Sequence, residues 1–160
     1  MKRIVNDLVK SMKAKGLTIA LAESVTCGLA SHQLNIVKGT SEILIGSVVC
    51  YNEKVKTGIL GISPALVKNF TAESQEVTEA LAKNLNKIFA ADIYVAITGL
   101  AAPGGSETKS KPVGTIFFSI FFRQKIYSFK KRFYGSPLEI KRKACRELYQ
   151  AILERIKNSS

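Results

Sequence analysis

Short apolar runs alternate with segments of helical periodicity over the first hundred residues. The runs at 17–22, 43–51 and 92–98 are apolar enough to form buried strands. Helices are predicted before and between these strands, over 2–14, 28–37, 52–60, a short stretch from Pro64, and from a cap at Thr71 or Ser74 to about Phe89. In the last of these, Val77, Leu81, Leu85 and Ile88 should share one apolar face. Buried strands separated by helices indicate a parallel sheet with helices on both faces.

The remainder of the chain changes this pattern and completes the fold prediction. Residues 113–122 and 125–134 are predicted to form a hairpin with a tight turn near Arg123 and Gln124, and Ser136-Pro137 should open a final helix reaching 157. Lysines and an arginine on the second hairpin strand suit a sheet edge. We therefore expect a single domain over residues 1–160, folded as a three-layer α/β/α sandwich with a mixed sheet.

Composition limits the compartment and the partners. The apolar pattern at the N-terminus is interrupted by Asn6, Asp7 and Lys10, and the longest apolar run is half of what a membrane helix needs, so we expect a cytoplasmic protein that does not enter a membrane. The three cysteines lack metal-ligand spacing. The net charge is +12, and residues 109–146 hold eleven Lys or Arg against one acid, Glu139. Such a stretch favours anionic partners, although solvated lysine-rich surfaces have the same composition.

Three segments carry polar residues and glycines where the predicted parallel strands end. They span residues 23–28, 51–56 and 98–105. In open α/β sheets, binding sites form beyond the carboxyl ends of the strands, so these segments should meet at one rim. The pair Gly104-Gly105 could let backbone N–H groups approach a phosphate, or it could simply be a flexible surface loop.

Ser24 is the candidate nucleophile, because it lies at a strand-to-helix corner where free N–H groups concentrate. The same position is also typical of a helix N-cap, as is that of Thr26, and spacing alone does not separate these interpretations. The only histidine, His32, lies about two turns along the predicted helix and about 80° away from Ser24, which argues against a Ser-His pair. The remaining base is a lysine: Lys56 follows the second strand by one helical turn, whereas Lys54 falls on another face.

Together, and in this order, these segments resemble the C-terminal domain of the competence/damage-inducible CinA family. The family's Ala-Glu-Ser-Cys-Thr-Gly-Gly corresponds to residues 22–28, and its Gly-Ser-Ser, Tyr and Lys correspond to residues 39–41, Tyr51 and Lys56. The family's Thr-Gly-Ile-Ala-Gly-Pro-Gly-Gly matches residues 98–105, and its Pro-Val-Gly-Thr matches residues 112–115. An arginine in the family's last helix is similar to Arg142.

This resemblance implies hydrolysis of nicotinamide mononucleotide to nicotinate mononucleotide and ammonia, without a metal or cofactor. It also implies that Ser24 is the nucleophile, Lys56 its base and Tyr51 a hydrogen-bonding helper. The nucleotide would contact a further set of residues, namely Thr26, Gly28, Thr98, Gly99, Gly104, Gly105, Thr115 and Arg142. A homodimer, and a stand-alone form without the N-terminal domain that often precedes this one, are expectations from the same resemblance.

The chain departs from the family pattern at several positions: Val25, Cys27, Ala102, Glu73 and Pro137. A side chain at Cys27 or Ala102 could crowd a backbone that approaches substrate, and Pro137 removes a common arginine. The triad of Ser24, Tyr51 and Lys56 is kept. An alternative function is therefore a catalytically impaired regulatory module that binds a nucleotide or a nucleic acid.

Overall fold

A five-stranded mixed sheet forms the centre of the computed structural model, which describes residues 1–158. The strands in chain order are β1 (Ile19–Glu23), β2 (Leu44–Val49), β3 (Ile93–Gly99), β4 (Thr115–Phe122) and β5 (Lys125–Arg132). Their order across the sheet is β2-β1-β3-β4-β5, with β2, β1 and β3 parallel and β4 and β5 antiparallel to their neighbours. The predicted mixed sheet is confirmed, and the basic strand β5 lies at one of its edges.

Helices cover both faces of the sheet, as the prediction of three layers requires. They are α1 (Lys2–Ala14), α2 (Leu29–Asn35), α3 (Glu53–Gly58), α4 (Pro64–Phe70), α5 (Gln75–Asn84) and α6 (Pro137–Lys157), with 3₁₀ turns at Thr40–Glu42 and Leu85–Lys87. One apolar core lies beneath α1, α2 and α6 and includes Ile19 and Leu21, whereas the second lies beneath α4 and α5 and includes Ala22. This division follows from the twofold periodicity of a strand, which sends successive side chains to opposite faces.

Local signals in the sequence account for the boundaries of several helices. The Asn52 side chain accepts from the N–H of Lys54 and caps α3, and Ser74 rather than Thr71 caps α5 by accepting from the N–H of Val77. Ser136 and Glu139 form a reciprocal capping box at the start of α6. Each such cap contributes about 1 kcal/mol, because it satisfies backbone N–H groups that the helix itself leaves free.

The predicted helix to Phe89 is too long. Helix α5 ends at Asn84 and continues as the 3₁₀ turn, which has three residues per turn instead of 3.6. The change of pitch rotates the later side chains out of phase, so Val77, Leu81 and Leu85 are buried as expected while Ile88 is exposed. The hairpin turn is where the sequence placed it: Arg123 and Gln124 both have positive φ, as in the two-residue turns that match strand twist.

The fold brings the carboxyl ends of β1, β2 and β3 to one rim, together with the start of β4 and of α6. At this rim Gly99 has φ +144°, and a Cβ there would collide with the carbonyl oxygen of Thr115. A glycine is therefore required where the chain leaves β3 and passes close to β4. Within residues 1–158, no helix combines the length and the apolar character that crossing a bilayer requires.

The three cysteines should differ sharply in reactivity. All are free thiols, with Cys27 exposed and the other two buried. Burial raises the pKa of Cys50 to about 11 and that of Cys145 to about 12. Since the thiolate is the reactive form, iodoacetamide at about pH 8 should alkylate Cys27 alone in the folded protein. Peptide mass spectrometry would test this, with urea-unfolded protein, in which all three should react, as the control; rapid labelling of Cys50 in the folded state would contradict the structure.

Candidate active site

Ser24 lies at the corner between β1 and α2, and it is not a helix cap. Its backbone N–H donates to the carbonyl oxygen of Ile97 at 3.0 Å, which ties the corner to β3. Helix α2 begins only at Leu29, with Gly28 as its N-cap in the left-handed conformation, and the Thr26 hydroxyl donates to Glu23 instead of capping the helix. The N-cap interpretation is therefore wrong for both hydroxyl residues, and the Ser24 side chain is left to face the rim.

The carboxylate of Glu23 holds this corner in place. Glu23 is fully buried, and its two oxygens accept four hydrogen bonds from three parts of the fold. Thr26 Oγ1 and the N–H of Ala30 donate at 2.8 and 2.9 Å, the N–H of Ser31 donates at 2.8 Å, and Ser47 Oγ on β2 donates at 3.1 Å. A buried carboxylate is tolerated only when its lone pairs are used in this way. In the sequence Glu23 is the first residue of the rim segment 23–28, but no motif indicates that its carboxylate holds the corner together.

Lys56 is fully buried, and its amine contacts the hydroxyl of Ser24. The distance from Lys56 Nζ to Ser24 Oγ is 3.1 Å. The same nitrogen donates to the carbonyl oxygens of Cys50, at 2.7 Å, and Tyr51, at 3.3 Å. Two residues separated by 32 positions in the chain are thus brought into hydrogen-bonding contact by the sheet.

The geometry around Lys56 Nζ suits a base. A neutral amine has two hydrogens and one lone pair, and the two carbonyl oxygens can accept both hydrogens. The third direction is that of Ser24 Oγ, so the lone pair of the neutral amine would face the serine hydroxyl. Nucleophile and base within about 2.6–3.2 Å of each other is the arrangement that activates a serine.

The other residues considered as partners of Ser24 lie elsewhere. Lys54 is exposed on the outer side of α3, and His32 is exposed on α2. Tyr51 does reach the rim: it is 70% exposed and lines the same pocket as Ser24. Its contact with Lys56 is made by its carbonyl oxygen, so any contribution of the phenol would have to be through the ligand.

A pocket of about 300 Å³ opens beside Ser24. Its wall is formed by the segments that follow β1, β2 and β3, by the segment before α5 and by the start of α6. The lining residues besides Ser24 are Val25, Tyr51, Glu73, Gly99, Leu100, Ala101, Ala102, Pro103, Gly104, Gly105, Pro137 and Lys141. Of the predicted catalytic and substrate-binding residues, those that line it are Ser24, Tyr51, Gly99, Gly104 and Gly105. Lys56 lies behind Ser24, out of the open volume.

The amides of Gly104 and Gly105 are engaged by a carboxylate of the chain itself. They donate to the two oxygens of Glu107 at 2.7 and 2.8 Å. The hydrogen bond from Gly104 is the largest cause of the lowered pKa of Glu107. These amides are therefore able to bind an anionic oxygen, as the glycine pair suggested, although a side chain of the same loop occupies them.

Several expected contacts lie outside the pocket wall. The hydroxyl of Thr98 is buried against that of Thr78 at 2.7 Å, and Thr115 donates to the carbonyl of Pro112 at 2.7 Å. Thr26 and Gly28 belong to the corner, and Arg142 is exposed on α6 without lining the pocket. Its neighbour Lys141 lines the pocket instead, because it lies one helical turn after Pro137 on the same side of α6.

The basic stretch forms a second, separate groove on the far side of the loop that follows β3. This groove, of about 360 Å³, is lined by Lys109, Lys130, Lys131 and Arg132 beside Ser110, Pro112 and Thr115. Lys131 is paired with Glu147 at 2.8 Å, and Arg132 stacks on the ring of Tyr134. Part of the positive charge is thus used within the fold. The chain from 1 to 158 contains no cluster of three His, Cys, Asp or Glu suited to a metal ion.

Comparison with known proteins gives consistent matches. A family model described as the CinA C-terminal domain matches residues 1–156. A CinA-like protein of Mycobacterium avium is 46% identical over 116 residues, which are 72% of this chain and 26% of that protein. A putative competence-damage inducible protein of Caldicellulosiruptor saccharolyticus is 34% identical over 151 residues, 94% of this chain and 36% of that protein. The chain therefore spans about a quarter to a third of these relatives.

Solved structures agree with this comparison over the whole fold. A CinA superfamily protein from Klebsiella pneumoniae superposes with a TM-score of 0.93 at 25% identity and covers 98% of both chains. A competence or damage-inducible protein from Enterobacter asburiae has a TM-score of 0.91 at 27% identity and covers 97% of both chains.

The contact between Ser24 and Lys56 leads to a prediction about serine reactivity. A fluorophosphonate probe should phosphonylate Ser24 in the wild type, because the adjacent amine can accept the hydroxyl proton. Lys56→Met keeps an unbranched side chain as far as Cε but removes the base, and it should slow labelling by about a hundredfold or more. The matched control is Lys54→Met in the same helix, which should label at the wild-type rate. Equal labelling rates for both variants, measured by intact-protein mass spectrometry, would show that Lys56 does not activate the serine.

Proposed function

This chain belongs to the CinA C-terminal domain family, and we propose from this premise that it is a serine/lysine amidohydrolase of pyridine nucleotides. Its substrate would be nicotinamide mononucleotide, and its products nicotinate mononucleotide and ammonia. The observation that carries the proposal is the 3.1 Å contact between Lys56 Nζ and Ser24 Oγ beside an open pocket. The family membership makes this chemistry a reasonable candidate, and the local geometry supplies the groups it needs.

The first half of the reaction would form an acyl-enzyme. Ser24 Oγ attacks the carboxamide carbon while its proton passes to the neutral amine of Lys56. The two carbonyl oxygens of Cys50 and Tyr51 keep the amine oriented during this transfer. The proton then moves from Lys56 to the amide nitrogen as the C–N bond breaks, ammonia leaves, and the nicotinoyl group remains as an ester on Ser24.

The oxygen of the tetrahedral intermediate needs hydrogen-bond donors at the corner. Within residues 1–158, no acceptor is bonded to the N–H of Val25 or of Thr26, although both residues are buried at the corner. Val25 directly follows the serine and lines the pocket. Because Val25 lines the pocket and Thr26 does not, we assign the N–H group of Val25 as a candidate oxyanion donor, which would stabilise the transition state by about 2.7–4 kcal/mol.

The second half of the reaction would use the same base. Water attacks the ester carbon, Lys56 accepts a proton from the water, and the proton returns to Ser24 Oγ as the acyl–oxygen bond breaks. The product forms as the carboxylic acid, which gives its remaining proton to solvent, and the free hydroxyl of Ser24 and the neutral amine of Lys56 are restored. Lys56 thus acts as the proton acceptor in both halves of the reaction.

The pocket offers groups that suit the phosphate of a mononucleotide. Lys141 places an ammonium at the pocket wall where the family commonly has an arginine at the position of Pro137. A volume of about 300 Å³ is at the small end for ligand pockets, which is consistent with a mononucleotide rather than a dinucleotide.

The proposal predicts ammonia release from nicotinamide mononucleotide by the purified chain. Ser24→Ala should abolish it, and Lys56→Met should lower kcat by about a hundredfold or more with little change in KM, since the base acts in the transition state. Lys54→Met should leave both constants unchanged. Enzyme-coupled detection of ammonia between about pH 6 and 10 would test this. Release by the wild type no greater than by Ser24→Ala would reject the proposed reaction.

A further inference from the structure

The pocket contains two charged side chains of opposite sign, and they are not paired with each other. Glu73 and Lys141 are the charged residues among those that line it. The ion pairs found within residues 1–158 join Lys13 to Glu42 and Lys131 to Glu147, so neither pocket charge is neutralised by a salt bridge. A partly enclosed site with a separate carboxylate and ammonium is complementary to a ligand that carries charges of both signs.

Glu73 is held in place by a chain of hydrogen bonds before any ligand binds. Its Oε2 accepts from Ser106 Oγ at 2.6 Å, and Ser106 Oγ accepts from Lys111 Nζ at 2.7 Å. Lys111 Nζ also donates to the backbone oxygen of Glu73 at 3.0 Å and to Thr71 Oγ1 at 2.7 Å. This network joins the loop after β3 to the segment before α5, so the carboxylate is fixed at the pocket wall.

The second oxygen of Glu73 remains available to a ligand. None of the side chains or N–H groups in residues 1–158 donates a hydrogen bond to Oε1. Lys111 donates to the backbone oxygen of Glu73 and to the hydroxyl of Ser106, but not to the carboxylate of Glu73. The carboxylate therefore has no direct ion pair with this ammonium. The Oε1 oxygen of Glu73 is thus available for contact with a charged group of a ligand.

We propose that Glu73 makes the pocket selective for a substrate whose aromatic ring carries a positive charge. The ring nitrogen of a nicotinamide nucleotide is bonded to the ribose and is cationic, whereas the phosphate at the other end is anionic. Glu73 would attract the ring and Lys141 the phosphate, which fixes the direction in which the nucleotide lies. This inference rests on the proposed function, because it concerns the ligand of the same pocket.

The test compares two ligands that differ in the charge of the ring. Nicotinamide mononucleotide has a cationic ring, whereas its reduced form has an uncharged dihydropyridine with the same phosphate and carboxamide. Binding is measured by calorimetry in the Ser24→Ala background, so that no turnover occurs. Adding Glu73→Gln, which keeps an acceptor for Ser106, should weaken binding of the cationic form about three- to fivefold, the upper part of the range expected of a partly solvated charge pair. The reduced form should change by less than about twofold.

The matched control is Glu76→Gln, which removes a nearby exposed carboxylate of α5 that does not line the pocket. It should leave the binding of both ligands unchanged. An equal loss for the two ligands with Glu73→Gln, no loss for either, or no binding of either ligand to the Ser24→Ala protein would overturn the inference. Ammonia release by the wild type is measured separately. Release without charge-selective binding would support the proposed function and reject the role of Glu73. Charge-selective binding without release would support the role of Glu73 and reject the proposed reaction.

Discussion

The buried amine of Lys56 and the hydroxyl of Ser24 meet at a point where three strands and two helices converge. Burying a polar amine away from water is costly, and within residues 1–158 Lys56 forms no salt bridge. Hydrogen bonds to two backbone carbonyls and one hydroxyl offset part of that cost. A position of this kind does little for stability, since an apolar side chain would fill the space more cheaply. The buried amine therefore fits the catalytic role that we propose for it better than a stabilising one.

The geometry of that contact depends on a second buried group. Glu23 precedes Ser24, and its carboxylate joins the end of β1 to the start of α2 and to β2. The corner also contains Cys27, whose φ of +51° is a left-handed conformation that costs a residue with a Cβ about 1–2 kcal/mol. Cys27 stands where the family has a glycine, and its side chain is exposed rather than turned into the substrate pocket. The departure therefore strains the backbone and does not fill the pocket.

The loop after β3 lies at the same rim as Ser24 and Lys56. Gly99 lets the chain leave β3 close against Thr115, and the loop then forms one wall of the pocket. Two sets of contacts hold it: Glu107 binds the amides of Gly104 and Gly105, and Lys111 with Ser106 joins it to the segment before α5. These contacts fix the wall that carries Glu73, while Lys141 approaches from α6. The site is thus assembled from elements that are far apart in the chain and depend on the sheet for their alignment.

Helices, strands and caps were predicted from local sequence signals. Contacts that depend on how packed elements are oriented relative to one another were not. Apolar runs and capping residues such as Asn52 and Ser136 predicted the elements. The ends of the predicted parallel strands indicated a common rim, and the family resemblance supplied the pairing of Ser24 with Lys56. The family resemblance pointed to Arg142, whereas Lys141 lines the pocket, because the rotation of α6 relative to the rim is set by packing of its apolar face. Burial of Thr98 against Thr78 and the use of the Gly104 and Gly105 amides by Glu107 are likewise long-range or competing contacts that the motif does not reveal.

The central claim is that the neutral amine of Lys56 activates Ser24. The most direct measurement follows the ¹⁵Nζ signal of Lys56 by NMR over a pH series, using protein labelled on lysine and Lys56→Met to assign the signal, and compares it with the rate of phosphonylation of Ser24 on the same samples. If Lys56 is the base, we expect the rate of Ser24 phosphonylation to rise in parallel with loss of the proton from Lys56. A rate that changes with pH while the Lys56 nitrogen keeps its proton would contradict it.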